Sequence, residues 1–393
     1  MIRSFEFRLK PKAAQRVAMA EILAHSCDLY NAALQERRDA WKSHRQSIGY
    51  YDQQKQLSEL RQDKDFARVA LHIQREPLRR VDRAFKDFFR RVKSGQKPGY
   101  PRFRSQGRYT SFAWESPSIH SEGLLVPNLG LVRFKATRDL TGKVKQAMIV
   151  RSGDKWTARI TCDIGPAQEK RAVEKVVGID MGLTTLVALS DGQSVENPRW
   201  TKKHEDRIGT ANRSLARKQR RSNNRSRARE ALRRAHQRAA NARRNYLHHV
   251  SKWLIANYDL IAHERLDVKG MAEMKFGKSI MDAAWAILLA MLAYKAENAG
   301  VHLVAVKPRG TSQTCSGCGA IVLKELWERE HRCPSCGLRL DRDLNAARNI
   351  KALGISAAGV SLQNVCVTVG AHKSQKPLPD PAPATLPDKE KET

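Results

Sequence analysis

The sequence is short of acidic residues and lacks long apolar runs. Its 393 residues include 40 Asp and Glu against 72 Lys and Arg, and the formal net charge is +32. A cationic surplus of this size indicates a polyanionic partner, most often a nucleic acid. No run of about 18 apolar residues, no lipidation signal and no apolar signal segment in the start MIRSFEFRLKPK is found. We therefore expect neither a membrane-spanning nor a secreted protein.

Cysteines are few as well, and four of the seven form two pairs. The pairs are Cys315-Ser-Gly-Cys318 and, after fourteen residues, Cys333-Pro-Ser-Cys336. Two such knuckles at this separation supply four thiolates to a tetrahedral zinc ion. A thioredoxin-like redox pair is the alternative, and the presence of two matched pairs argues against it. Four protein ligands leave no open position for a catalytic water, so the predicted zinc site is structural.

The first 172 residues predict a helical segment that interrupts a set of β-strands. FEFRL (5–9) alternates apolar and charged residues like a half-buried strand, and helical spacing follows as far as residue 93. The Gly- and Pro-rich stretch 92–104 ends the helices, and later β-like runs predict a small barrel or sheet that the N-terminal strand joins. One helical stripe expected to be packing core consists of Val81, Phe85, Phe88, Phe89 and Val92.

The rest of the chain alternates predicted strands and helices. VEKVVGIDMGLTTLVALS (173–190) predicts a tight hairpin of two buried strands. Further predicted elements are a long helical segment at 201–245, a strand at 258–264, an apolar helix at 280–300, a strand at 301–308 and a helix that starts at Asp343. The last twenty or so residues are Pro-rich and charged, which predicts a disordered tail.

The segment at 201–245 is strongly basic. It contains sixteen Lys and Arg but three acids, whereas a solvated helix laced with salt bridges would alternate the two signs. Contact with a nucleic-acid backbone is the favoured interpretation, and an exposed basic face without a specific role is the alternative.

Three carboxylates lie at the edges of predicted apolar elements. Asp180 ends a strand in GIDMG, Glu264 ends the strand LIAHE, and Asp343 opens the helix DLNAARNI. Such a position is costly for an acid unless it is paired or binds a cation. A single acid there would most often be a helix cap or a surface residue. Three together suit Mg²⁺ or Mn²⁺, which prefer carboxylate oxygens.

Helix geometry separates Asp343 from its neighbour Asp341. Positions i, i+3, i+4 and i+7 share a helix face, which places Asp343 on a small apolar face. The other residues of that face are Ala346, Ala347 and Ile350. Asp341 falls on a mixed face and is interpreted as a cap or a surface acid. Asp343 is therefore the acid expected to face the sheet.

Two reaction types fit an acid in a strand hairpin. Two Mg²⁺ ions about 3.5–4 Å apart promote phosphodiester cleavage, and the order hairpin Asp, strand Glu, helix Asp is that of an RNase H-like nuclease. Under this hypothesis Asp180 bridges the two ions, and Glu264 and Asp343 each complete one site. GIDMG also resembles the phosphate loop of actin-like ATPases, but the further glycine-rich loops that those enzymes need are missing from the sequence.

In combination, the motifs resemble those of the TnpB family of transposon-encoded proteins. The matching stretches are GIDMG, LVALSDG, AHERL, VKPRGTSQTCSGCG, CPSCG and DRDLNAARNI, with looser matches in YNAAL and KPGYPRFRS. TnpB proteins are compact RNA-guided DNA endonucleases related to type V CRISPR nucleases. The resemblance implies a Mg²⁺-dependent endonuclease whose catalytic, metal-binding acids are Asp180, Glu264 and Asp343. It implies the zinc ligands Cys315, Cys318, Cys333 and Cys336.

The resemblance also implies a multidomain α+β fold. A RuvC-like (RNase H-like) α/β nuclease domain would carry an inserted zinc ribbon, alongside a β-barrel wedge domain and a helical recognition domain. The implied boundaries are wedge 1–10 and 98–172, recognition domain 11–97, nuclease 173–313 and 339–370, zinc ribbon 314–338, and disordered tail 371–393.

The implied partners are a guide RNA from the transposon end and double-stranded target DNA beside a short motif that the protein reads. We expect one protein monomer per RNA, in the cytoplasm of a bacterium or archaeon and close to the nucleoid. The basic helical segment would contact nucleic-acid backbone, as would Lys93, Lys97, Arg102 and Arg104. Two alternatives stay open: a nuclease-inactive RNA-guided DNA binder that regulates transposition, and a structure-specific resolvase that needs no guide.

Overall fold

The computed structural model describes residues 1–273, 276–308, 310–325 and 327–359. The chain separates into two compact units, Met1–Pro166 and Ala167–Thr393. The predicted disordered tail at 371–393 lies outside the described residues, as do residues 360–370 of the last predicted nuclease segment.

In the first unit, four helices follow the first strand of an antiparallel sheet. Its elements are β1 (Ile2–Arg8), α1 (Ala13–His44), α2 (Tyr50–Leu60), α3 (Lys64–Ala67), α4 (Leu71–Lys93), β2 (Ser111–Glu115), β3 (Ile119–His120), β4 (Gly123–Val126), β5 (Gly130–Arg133), β6 (Lys143–Ser152) and β7 (Lys155–Asp163). One sheet has the order β1-β7-β6-β2, and β3-β4-β5 form a second. The prediction that the N-terminal strand joins the later strands is confirmed by the pairing of β1 with β7.

The predicted aromatic stripe of α4 is core only in part. Val81 is fully buried and Phe85 packs at the edge of the core, but Phe89 and Val92 are 60% and 50% exposed. The prediction is wrong for these last residues because α4 extends past the core that it shares with α1 and β2. There the Phe88 ring contacts Tyr100, 5.4 Å between centroids, instead of core side chains.

The second unit contains a five-stranded mixed sheet. Its elements are β8 (Val176–Asp180), β9 (Thr185–Leu189), β10 (Ser194–Glu196), α5 (Trp200–Lys203), α6 (Glu205–Ala216), α7 (Asn223–Asn257), β11 (Leu260–Glu264), α8 (Val268–Ala272), α9 (Gly277–Ala283), α10 (Trp285–Ala299), β12 (His302–Val306), β13 (Glu330–Arg332), β14 (Arg339–Asp341) and α11 (Arg342–Ala358). The strands of the five-stranded sheet lie in the order β10-β9-β8-β11-β12. The pairs β10–β9 and β9–β8 are antiparallel, whereas β8–β11 and β11–β12 are parallel.

Two predicted helices are broken in the structure. The basic segment at 201–245 reverses between α6 and α7, where Arg221 adopts a left-handed φ of 68° and the Ser222 hydroxyl caps α7. The apolar helix at 280–300 is divided at Ala284, whose φ is 54°. The stretch Gly277–Ala299 is long and apolar enough to cross a membrane by length and composition, but the break and its buried side chains, such as Leu288, fit two core helices.

Helix α11 lies very close to the sheet because two glycines leave room for it. A Cβ on Gly178 of β8 would lie 2.1 Å from the Ala347 carbonyl oxygen, and one on Gly354 would lie 2.3 Å from the Ala262 Cβ. The apolar face predicted for α11 is confirmed, since Ala346, Ala347 and Ile350 are all buried. This packing brings the first turn of α11 to the end of β8, where Gly182 lies near the Asp343 carboxylate.

Candidate active site

Asp180 and Glu264 end two neighbouring parallel strands. Ile179 of β8 pairs with His263 of β11, and the two acids are the next residues. Alternate residues of a strand share a face of the sheet. Because Gly178 and Ala262, two positions earlier, both contact α11, Asp180 and Glu264 lie on the face that α11 covers. The sheet register thus places both carboxylates beside the first turn of this helix.

The two aspartates at the start of α11 have different surroundings. The Asp341 carboxylate caps the helix by accepting hydrogen bonds from the backbone N–H groups of Asp343 and Leu344, at 2.8 and 3.1 Å. The prediction that Asp341 is a cap is confirmed. The Asp343 side chain is mostly buried and forms ion pairs with Arg342 at 3.3 Å and Arg329 at 3.6 Å.

The electrostatics of the site indicate that its carboxylates interact. Burial, together with the nearby charges of Glu264 and Asp343, raises the pKa of Asp180 to about 7, against a lowering effect of Arg342. Burial also raises the pKa of Glu264, and a hydrogen bond from Thr311 opposes this shift. Like charges in a partly buried site repel each other, and a divalent cation among them would relieve that repulsion. The donor set therefore fits Mg²⁺ or Mn²⁺.

The carboxylates form a looser set than the cysteines. Among the described residues, only the cysteines bring three or more ligand atoms within 4.8 Å of one another. The Sγ atoms of Cys315 and Cys336 are 3.7 Å apart, and those of Cys318 and Cys333 are 3.6 Å apart. Four thiolates at this spacing fit a tetrahedral zinc ion. The turn after each knuckle needs a left-handed residue, which Gly319 and Gly337 supply with φ of 79° and 72°.

Three polar residues of the site were given no role by the sequence argument. The Thr311 hydroxyl donates a hydrogen bond to the Glu264 carboxylate. Asn345 and Asn349 of α11 donate to backbone carbonyls of the loop that carries Thr311. Asn345 lies four residues after Asp341, on the helix face that the sequence marks as mixed, yet it is fully buried. The two asparagines of NAARNI, next to Ala346, Ala347 and Ile350, were the available signal.

The basic hairpin of α6 and α7 contains two kinds of arginine. Arg225 donates to the Leu215 and Lys218 carbonyls and closes the hairpin, so its charge has a structural role. Arg207 and Arg238 are exposed and line a groove of about 540 Å³ between the two helices. In the first unit the predicted backbone contacts Lys93, Lys97, Arg102 and Arg104 are all exposed.

Three family descriptions match parts of the chain. Residues 159–275 match the IS605 OrfB family described as "Probable transposase", and residues 285–350 match "Cas12f1-like, TNB domain". Residues 1–46 match a domain described as "Helix-turn-helix domain". In the structure that last stretch contains β1 and the single helix α1, without a turn between two helices.

Similar proteins cover almost the whole chain. A protein of Streptomyces pristinaespiralis named "Putative RNA-guided DNA endonuclease" is 30% identical and covers 98% of each chain. InsQ of Escherichia coli (strain K12), which carries the same description, is 28% identical over 92% of this chain and 95% of its own. A solved Cas12f1 structure, in complex with sgRNA and target DNA, matches with a TM-score of 0.59 at 12% identity, over 89% of this chain and 98% of that one. The last match shows a shared α+β multidomain fold.

Proposed function

The chain belongs to the TnpB family of IS605 elements, whose members are RNA-guided DNA endonucleases, and on that premise we propose that Asp180, Glu264 and Asp343 are its catalytic acids. The observation that carries this proposal is the sheet register. It places Asp180 and Glu264 at adjacent strand ends, on the face where α11 presents Asp343.

The second unit supports the assignment of a RuvC-like, RNase H-like domain. Its sheet begins with the antiparallel strands β8 to β10 and continues on the other side of β8 with the parallel strands β11 and β12. We assign residues 173–313 and 339–370 to this domain and 314–338 to a zinc ribbon. In the first unit we assign 1–10 and 98–172 to a wedge domain and 11–97 to a recognition domain, because α1 to α4 follow a strand that pairs with β7.

We propose that the three carboxylates hold Mg²⁺ ions. When bound, such ions lower the pKa of a bound water and stabilise the leaving oxygen of a phosphodiester. The chain itself contributes the ligand oxygens and the means of fixing them. Asp180 is fixed at a strand end, Thr311 holds Glu264, and Arg342 and Arg329 neutralise Asp343 in the protein alone. The zinc ion that we assign to the four cysteines holds the ribbon and takes no part in the reaction.

We propose that the partners are a guide RNA and a double-stranded target DNA, with one protein monomer per RNA in the cytoplasm of a prokaryote. The net charge of +32 and the exposed arginines of the α6–α7 groove support contact with two polyanions. Base pairing with the guide would carry the sequence information, and the protein would contact the sugar-phosphate backbone of the nucleic acids.

Copurified RNA tests this proposal first. The protein expressed with its own transposon end should retain one defined RNA, visible as absorbance at 260 nm and a single band on a denaturing gel. The complex should then cut DNA that matches the guide in the presence of Mg²⁺. Cutting of branched DNA by RNA-free protein would instead indicate a resolvase.

A further inference from the structure

Thr311 holds one of the proposed catalytic acids from a buried position. Its side chain is 3% exposed, and its hydroxyl donates to the Glu264 carboxylate. The Pro308 carbonyl, at 3.2 Å, is a second acceptor for the same proton. An ionised carboxylate is a stronger acceptor than a backbone carbonyl oxygen. Glu264 therefore has a fixed donor on a neighbouring loop.

The loop that carries Thr311 is itself held by helix α11. The Asn349 amide donates to the Thr311 carbonyl at 2.8 Å and to the Thr314 carbonyl at 2.7 Å. The Asn345 amide donates to the same Thr314 carbonyl at 2.8 Å. Asn345 and Asn349 are four residues apart and share a face of the helix. Two amides of one helix thus hold the backbone of this loop at Thr311 and at Thr314.

Asn345 also reaches the first cysteine knuckle. Its side-chain amide oxygen accepts a hydrogen bond from the Ser316 backbone N–H at 2.9 Å, and Ser316 lies between Cys315 and Cys318. Asn345 is fully buried and lies two residues after Asp343. The helix that carries Asp343 is therefore hydrogen-bonded both to the knuckle and to the loop that holds Glu264.

We propose that Thr311 is a positioning residue for Glu264, and that Asn345 and Asn349 make its position depend on the zinc knuckle. This inference rests on the proposed function. A Glu side chain has three rotatable bonds, and a donor whose loop is held by a rigid helix at Thr311 and Thr314 restricts the carboxylate to one orientation. Partners of this kind behind a metal ligand change metal affinity or activity by about 10–100-fold when they are removed.

The pair Thr311→Val and Thr311→Ser separates the hydroxyl from its surroundings. Valine keeps the shape and removes the donor, whereas serine restores the donor and removes a methyl group. In the complex with guide RNA, Thr311→Val should weaken Mn²⁺ binding, measured by electron paramagnetic resonance, by about 10-fold or more. It should raise the Mg²⁺ concentration for half-maximal cutting to a similar extent and leave binding of target DNA unchanged. Thr311→Ser should bind Mn²⁺ close to the wild-type affinity.

Asp180→Ala distinguishes failure of this inference from failure of the proposed function. If Asp180→Ala still cuts, the catalytic assignment itself is wrong. If Asp180→Ala is inactive while Thr311→Val binds Mn²⁺ and cuts like the wild type, only the positioning role of Thr311 is wrong. Loss of Mn²⁺ binding in both Thr311→Val and Thr311→Ser would also contradict it, because the hydroxyl would then not be the relevant group.

Asn345→Ala tests the connection to the knuckle. It should release zinc to a colorimetric chelator faster than the wild type and should also weaken Mn²⁺ binding. Faster zinc release with normal Mn²⁺ binding would overturn the dependence, because Asn345 would then serve the ribbon alone. Asn349→Ala is the second variant, since Asn349 is only partly buried and contacts the Thr311 and Thr314 carbonyls directly. Its Mn²⁺ binding should weaken, and an unchanged affinity would contradict the proposal.

Discussion

Gly178 of β8 lies directly under Ala347 of α11, so close that a Cβ on the glycine would be 2.1 Å from the Ala347 carbonyl oxygen. The same Cβ would be 2.4 Å from the Lys351 backbone nitrogen. The first glycine of GIDMG therefore sets the distance between the sheet and α11. That distance fixes the position of Asp343 relative to Asp180, two residues after Gly178.

Gly178→Ala should displace α11 from the sheet. Both contacts are to backbone atoms, which yield less readily than a flexible side chain, so we expect a loss of about 1–3 kcal/mol in the free energy of unfolding. A displacement of about 1 Å at the site should reduce guided cutting by about 100-fold. Denaturant unfolding and single-turnover cleavage measure the two effects.

Gly209→Ala is the matched control. Gly209 lies within α6, and its added Cβ would meet only the Arg213 guanidinium, at 3.4 Å. Alanine should favour the helix by about 0.5–1 kcal/mol and leave cutting unchanged. Equal losses of cutting in both variants would show that the Gly178 contact has no special role.

Asp343→Asn and Asp341→Asn should differ in their effect on DNA cutting. Asp343→Asn removes a proposed metal ligand and should abolish cutting while guided DNA binding persists. Asp341→Asn keeps a good helix cap and should change stability and cutting little, whereas Asp341→Ala should cost about 1 kcal/mol of stability. Loss of cutting in Asp341→Asn alone would contradict the assignment of Asp343.

The raised pKa of Asp180 predicts a pH dependence of stability. The folded protein holds this proton up to about pH 7, whereas the unfolded chain releases it near 3.8. Because the folded state binds more protons between these values, Asp180 lowers stability as pH rises through this range. Without added Mg²⁺, Asp180→Asn should exceed the wild type at pH 8 by about 1–3 kcal/mol in the free energy of unfolding. At pH 5 the gap should be smaller, below about pH 3.8 it should nearly close, and a gap that stays constant with pH would refute the effect.

Arg238→Gln and Arg225→Gln remove the same charge from different places. Arg238 is exposed in the α6–α7 groove, so its loss should lower nucleic-acid affinity and reduce the slope of log K against log salt concentration by about 0.7–0.9. Arg225 closes the hairpin, so its loss should lower thermal stability and leave that slope nearly unchanged. Filter binding of RNA at several salt concentrations compares them. Identical slopes for Arg238→Gln and the wild type would exclude a backbone contact there.

Elements with a clear period or spacing were predictable from the sequence. The β8–β9 hairpin, the strand that ends in Glu264, the apolar face of α11 and the four clustered cysteines all depend on local patterns. Long-range polar contacts have no such pattern, since Thr311 and Glu264 are 47 residues apart.

Other differences have separate physical causes. Periodicity identifies the apolar face of α4, but it does not say where the core beneath that face ends, so Phe89 was wrongly assigned to it. The helix break at Ala284, whose φ is left-handed, could not be predicted from the residue type, because alanine is a strong helix former. The break before α7 did have a signal, in the capping residue Ser222.

Guided cleavage by the reconstituted complex shows directly whether Asp180 belongs to an RNA-guided nuclease site. The purified protein, with an RNA from its transposon end, should be incubated with plasmids that carry the guide-matched target beside randomised flanking sequence. We expect Mg²⁺-dependent cutting only where guide and target match, and we expect Asp180→Ala to bind the same DNA without cutting it. Full cutting by Asp180→Ala, or cutting that ignores the guide, would contradict this assignment.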